Sequence, residues 1–235
     1  INELVKLIIS FTPVAVFCIL AKTFSTQGIE TIMPLAGYFF TVVFVLLFHF
    51  VFTFSILIKL FTVLNPVKFF QNLKDVVIFT FSTSSSSASI PFTLKAAEEK
   101  YGIDKSIGTF TVPLGATINM DGTAIMQGCA TFFLASLYGI DLGINEIVTI
   151  VITATIASIG TAGIPSAGII MLTVIFTQIG IPLEGITLLL GVDRLLDMIR
   201  TSVNVSGDIC ISCVIASSEN LSLIHISEPT RLCRI

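Results

Sequence analysis

The stretch Asp193 to Asp208, DRLLDMIRTSVNVSGD, restricts the folds open to this chain more than any other. Asp193, Asp197, Arg200, Asn204 and Asp208 recur at helical spacing, and at ~100° per residue they share an arc of roughly 80° on one helix face. Leu195, Leu196, Met198, Ile199 and Val203 cover much of the remaining surface. Only 11% of the 235 residues are charged and mean hydropathy is +1.00, whereas a soluble domain carries about 25% charged residues. The chain therefore reads as a membrane protein. Inside a bilayer such a stripe must face a partner helix or a wet cavity, because each charge there costs ~2.5–3.5 kcal/mol on insertion scales. A stripe of both signs can hold a ligand of both signs. The plainer alternative is a structural Asp197–Arg200 bridge at i,i+3, but three carboxylates, a guanidinium and an amide exceed what one bridge needs. The net charge of −3 gives no argument for a nucleic-acid partner.

Residues 4–21 read as an apolar span kinked at Pro13, and Thr23 to Thr31 as a polar link. A second span covers 35–62; its His49 is either a proton relay or a hydrogen-bonded structural group. Residues 65–100 differ. Two apolar arms flank the serine run Ser82–Ser89, and neither crosses ~30 Å of hydrocarbon at ~1.5 Å per residue. Lys59, Lys68 and Lys74 precede the run and Lys95, Lys100 and Lys105 follow it, which places both ends on the cytoplasmic side. The stretch reads as a re-entrant hairpin with its serine tip at membrane depth, tolerated only where protein or a cavity surrounds it. The tip hydroxyls and amides would then be free to meet an anion. A flexible serine linker would have polar flanks. A serine nucleophile would need a base, and the sequence has only His49 and His225 and no Ser-x-x-Lys pattern.

A third span, 106–138, is broken by Pro113, Gly115 and Asn119-Met-Asp-Gly-Thr123. Freed carbonyls and the Asp121 carboxylate are hard oxygen ligands suited to a hard cation; the alternative is a kink with Asp121 in a buried ion pair. No Lys or Arg occurs between Ser106 and Asp193, so the loop 138–146 lies outside. Residues 147–180 repeat the hairpin design around a small-residue tip, Ser158 to Gly168, entering from the outside, and the charged helix 184–219 follows. Hairpin then span, twice, from opposite sides is an inverted repeat of the kind secondary transporters use. Cys210 and Cys213 have C-x-x-C spacing without a second pair or a His cluster, so they read as small apolar filler. The chain starts at Ile1 without Met, as a piece of a longer protein would, and residues 221–235 resemble the translation of a sequencing-library adaptor.

Five stretches together carry a resemblance: Ser85-Ser-Ser87, Asn119 to Thr123, Ser158-Ile-Gly-Thr-Ala-Gly163, Asp197-Met-Ile-Arg-Thr201 and Asn204-Val-Ser-Gly-Asp208. In order and spacing, over about residues 1–219, the chain resembles the dicarboxylate/amino acid:cation symporters, the glutamate–aspartate transporter family. The resemblance implies an all-α, multi-pass protein of the cell membrane, with transmembrane helices and two oppositely oriented re-entrant hairpins. It makes residues 1–34 a scaffold-type span and link and 35–219 a moving transport domain, with four earlier spans missing and a homotrimer when full length.

The resemblance also implies a site. Arg200 would bind the substrate side-chain carboxylate and Asp197 its ammonium. Asn204 and the tip serines Ser85, Ser86 and Ser87 would hold the α-carboxylate, with Thr123 and Thr201 nearby. The second tip, Ile164, Pro165 and on to Gly168, would close as a gate. One sodium would use Gly115, Asn119, Asn204 and Asp208; another would use carbonyls of Thr117, Ser158, Ile159 and Thr161; Asp121 would contribute to a third. No cofactor besides coupling sodium and no enzymatic activity is implied. The expected function is sodium-coupled symport of aspartate or glutamate by an elevator-like movement, against the alternatives of a proton-coupled C4-dicarboxylate carrier, a neutral amino-acid carrier or, more remotely, an ion channel. One departure stands out: Ser84 occupies the place where many prokaryotic members have Arg, and Met198 the place where eukaryotic relatives carry it.

Overall fold

The computed structural model describes residues 32–219 together with Val14, Phe17, Cys18, Ala21 and Ser25. Apart from those isolated positions, the expected first span with its Pro13 kink, the link to Thr31 and the tail 221–235 with His225 and Cys233 lie outside the described residues. The described chain is helical throughout, as expected for the all-α class.

Helix α1 (Ile32–Phe48) passes through a π-helical turn (His49–Thr53) into α2 (Phe54–Phe61). One side of this rod is aromatic and exposed: Phe44, Phe48 and Phe52 stack in sequence, with centroids 6.5 and 4.9 Å apart. The other side buries Val42, Leu46, Phe54 and Ile58 in the core. Such a wide apolar surface is stable against hydrocarbon or protein rather than water.

Helix α3 (Pro66–Thr83) begins at Asn65, whose side chain accepts from the Val67 amide at 2.8 Å, with Pro66 in the first turn. That is the favoured start: a capping oxygen satisfies an orphan amide, and proline has none to lose. The helix ends at Ser84 in left-handed geometry, φ +49°. Ser85 caps α4 (Ser86–Tyr101) through the Ala88 amide. Contacts between Thr83 and Ser89, Asn72 and Lys100, and Phe69 and Tyr101 show the two helices running antiparallel. The tip between them is only Ser84 and Ser85.

Helix α5 (Lys105–Ile118) starts from an Asp104 cap, and α6 (Asp121–Leu137) continues after a break. Asn119 (φ −99°, ψ 70°) and Met120 (φ −113°, ψ 53°) leave helical geometry there. Helix α7 (Ile144–Ile159) leads to an irregular tip. The chain then returns through α8 (Ala167–Ile170) and α9 (Leu172–Ile179), with Thr153 donating to Gln178 across the pair at 2.7 Å. The 34-residue α10 (Gly185–Ser218) runs through the middle, ~50 Å at 1.5 Å per residue, and packs against α1 to α6 and α8. Cys210 and Cys213 are fully buried in that core.

Candidate functional site

The five residues of the charged stripe are all buried along α10. Two tips and one helix break converge on it. From the first tip, the Ser85 hydroxyl donates to the Gly163 carbonyl at 2.8 Å and the Ser87 amide donates to the same oxygen at 3.1 Å. From the second tip, the Ser166 amide donates to Asp197 Oδ2 at 2.9 Å. From the break, the Gly122 amide donates to Asn204 Oδ1 at 2.8 Å, while Asn204 Nδ2 donates to Thr123 Oγ1 at 3.2 Å. Close approach explains the glycines. A Cβ on Gly163 would lie 2.5 Å from Ser87 Oγ and 3.0 Å from the Ala116 carbonyl, and one on Gly168 would lie 2.9 Å from the Thr123 methyl and 3.3 Å from Arg200 Cζ.

These elements enclose a cavity of about 10 Å³. Asp197, Arg200, Thr201 and Asn204 line it from α10, and Thr123 and Met120 from the break. Ser84 and Ser86 line it from the first tip, and Thr161 to Ile164 with Gly168 from the second. Of the residues expected to hold a substrate, Ser85, Ser87 and Pro165 do not line it, and Ser85 and Ser87 tie the tips together.

Arg200, 2% exposed, is the charge at the centre. Its Nη2 is bonded to Asp197 Oδ1, and its Nη1 lies 3.5 Å from Asp193 Oδ1. Asp197 also faces Arg194 Nη1 at 3.8 Å. A planar guanidinium with parallel donors matches a carboxylate bidentately. The Asp197 carboxylate beside it can receive an ammonium group.

The expected cation ligands fall into three groups. The Asp208 carboxylate sits against Gly115, where a Cβ would collide with it, and accepts from Asn119 Nδ2 at 2.9 Å. Among the described residues no Lys, Arg or His lies within ion-pair distance of Asp208. A buried carboxylate without a counter-charge is costly, so its surroundings suit a cation. Ser158 and Thr161 are buried where α7 ends, the Thr161 amide bonding the Ser158 carbonyl at 3.1 Å; Ile159 and Thr117, the latter near the end of α5, are exposed. Asp121 stands apart: its Oδ2 meets His49 Nε2 at 2.5 Å and its Oδ1 accepts from the Gly122 amide at 2.9 Å. Thr53 Oγ1 lies 3.1 Å from His49 Nδ1. The π turn, a widening often found at functional positions, therefore holds His49 in contact from both ring nitrogens.

Sequence reasoning did not pair His49 with Asp121, 72 positions away, nor include Ser84, Met120 or Gly163 in the site. A further buried group, Gln127, donates to the Gly168 carbonyl at 3.1 Å and supports the second tip from α6. Only the spacing of Gln127 from Thr123, one helical turn, marked it for the same face.

The profile of the sodium:dicarboxylate symporter family matches residues 1–218. The chain is 41% identical to excitatory amino acid transporter 3 of Mus musculus over 207 residues, 88% of this chain and 40% of that protein. It is 43% identical to excitatory amino acid transporter 1 of Rattus norvegicus over 210 residues, 88% of this chain and 39% of that protein. To the excitatory amino acid transporter of Caenorhabditis elegans it is 39% identical over 210 residues, 88% of this chain and 42% of that protein. These relatives are membrane carriers rather than enzymes. The chain belongs to the sodium:dicarboxylate symporter family. It spans about two fifths of the length of the curated relatives it matches.

Proposed function

We propose that this chain is the substrate- and cation-binding part of a sodium-coupled symporter for acidic amino acids. The observation that carries the reading is Arg200, buried between the two tips with Asp197 as its neighbour on the same face. A zwitterion with a second carboxylate can exchange places with that internal pair. Its side-chain carboxylate takes the guanidinium and its ammonium takes Asp197, so both members of the internal pair keep an opposite charge, and the α-carboxylate adds one negative charge. The α-carboxylate goes to the first tip and Asn204. A C4-dicarboxylate would leave Asp197 without an ammonium, and a neutral amino acid would leave Arg200 without a carboxylate; unpaired buried charge is what discriminates against both. The relatives named as excitatory amino acid transporters support the same substrate class.

Sodium is cargo and coupling ion. Asp208 with Asn119 and the carbonyls of Gly115 and Asn204 hold one ion; Thr117, Ser158, Ile159 and Thr161 offer carbonyls for a second; Asp121 contributes to a third. Coupling follows if sodium orders the tips and the ordered tips bind substrate, since each ligand then favours the other reciprocally. The second tip is the gate. Residues 35–219 move as a transport domain in an elevator-like cycle against a scaffold that includes residues 1–34, within a homotrimer in the cell membrane.

The test is L-aspartate binding to the full-length protein, titrated with and without sodium, with succinate and L-serine as competitors. Tight binding only in sodium, displaced by neither competitor, is the expected result. Sodium-independent binding, or displacement by succinate, would overturn it in favour of a proton-coupled dicarboxylate carrier.

A further inference from the structure

The outward side of α1 and α2 is apolar along its length and ends in charge. Phe40, Phe44, Phe48, Phe52, Ile56 and Leu60 recur at every fourth residue, and all are exposed. They belong to a rod, Met33–Phe61, that is long and apolar enough to cross a membrane. From Phe40 to Leu60 the rise is ~30 Å at ~1.5 Å per residue, the thickness of the hydrocarbon layer. Just beyond Leu60 the chain turns over residues 62–65 into α3.

That turn is firmly built. The Thr62 hydroxyl donates to the Ile58 carbonyl at 2.7 Å and accepts from the Leu64 amide at 3.1 Å, and Asn65 caps α3. Leu64 joins the core, while Phe61, Val63 and Val67 remain exposed, Val63 at 81%. A fixed turn that holds apolar side chains outward presents them to something other than water. Lys59 and Lys68 flank it. The sequence from Ile32 to Lys74 contains no Asp or Glu, and among the described residues no carboxylate lies within ion-pair distance of either lysine. Lys95 and Lys100, on α4, differ: the first faces Glu99 at 4.0 Å and the second is bonded to Asp75.

Apolar side chains between two unpaired ammonium groups, at the end of a membrane-length rod, match the level where acyl chains meet headgroups. A protein neighbour could cover the apolar residues but would have to bring carboxylates for both lysines. A leaflet of anionic phospholipid supplies hydrocarbon and negative charge together. We infer that the α2–α3 turn is a docking surface for anionic phospholipid. Phe61, Val63 and Val67 enter the acyl boundary, and Lys59 and Lys68 take lipid phosphates of the cytoplasmic leaflet, the side on which unopposed lysines collect. The inference goes beyond the symporter reading and needs no particular substrate. It ties one end of α3 to the membrane surface, while Ser84, at the other end, lines the central cavity.

The test is local lipid enrichment at the turn. In the full-length protein without native cysteines, Val63→Cys carries a fluorophore, and the protein is reconstituted in phosphatidylcholine bilayers containing some phosphatidylglycerol. A nitroxide quencher is placed near the headgroup end of the acyl chain of either lipid. Quenching by labelled phosphatidylglycerol is expected to exceed quenching by labelled phosphatidylcholine several-fold. Lys59→Gln should cut that preference about fivefold, the share of one lysine at a charged surface, and adding Lys68→Gln should abolish it. Lys95→Gln, which removes a paired lysine, should leave it intact. Equal quenching by the two lipids would reduce the turn to a simple hydrocarbon contact and overturn the inference. So would quenching by neither lipid, which would place the turn in water or under another protein segment, and so would a preference that survives the double substitution.

Discussion

The two tips that meet over α10 are built to different standards. The first is sealed: α3 and α4 are continuous helices, capped by Asn65 and Ser85, and Ser84, Ser85 and Ser86 are all buried. The second is loosely built. Its return arm is split into the four-residue α8 and the eight-residue α9, and Ile164 at its apex is 58% exposed. Each tip contains one serine at positive φ, Ser84 and Ser166, so both reverse direction by the same local device. They differ in what surrounds that device. Segments with interrupted helices and an exposed apex open at lower free energy than continuous, capped ones. The difference supports the proposed roles, holding for the first tip and moving for the second.

The largest effect should come from the contact between them. Gly163→Val places a side chain against backbone atoms of Ser87 and Ala116; overpacking of ~1–3 kcal/mol translates into ~5- to 150-fold weaker L-aspartate binding. Unchanged affinity would mean that the tips need not touch. Next comes accessibility. In a background without native cysteines, Ile164→Cys should react with a polar maleimide faster than Ser86→Cys, and sodium with L-aspartate should slow the former; equal rates would erase the asymmetry. A smaller change is expected from Ser85→Ala, which removes both the cap to Ala88 and the bond to Gly163. A loss of about 1–2 kcal/mol in unfolding stability is the expected cost, measured by chemical denaturation in detergent.

The smallest effect lies away from both tips, at Asp104. The Ser106 hydroxyl, and then its amide, hold this exposed carboxyl below its usual range. Its contribution to stability is therefore present above the unfolded value near ~3.9 and disappears as pH falls through the lower folded value. Asp104→Asn should flatten that acid limb of a stability–pH curve and leave L-aspartate affinity untouched. A change in affinity would show that the α4–α5 turn is coupled to the tips.

What could be read from the sequence follows from the range of the interaction. The stripe on α10 was legible because helical periodicity is a local property, and all five residues do lie buried along one helix. Asn119, Asp121 and Gly122 marked a turn through their own backbone preferences, and helical geometry is lost beside them. The His49–Asp121 contact was not legible, since its two halves lie on different elements and become neighbours only when α1 packs on α6. The bonds from Ser85 and Ser87 to Gly163 were hidden for the same reason. The serine run announced donors but not their division into two that bind the other tip and one, at Ser84, that binds nothing in the protein.

The central cavity of about 10 Å³ also has a kinetic consequence. That volume admits about one water molecule, so an amino acid cannot diffuse into the closed site. Under the proposed gating, association waits for the second tip to lift. If the second tip gates the site as proposed, the observed binding rate should rise with ligand concentration and then level off at the opening frequency. Dissociation obeys the same limit. A bound ligand would leave no faster than Ile164 and its neighbours come away, so residence time would report the opening of the tip as well as the ligand's own contacts.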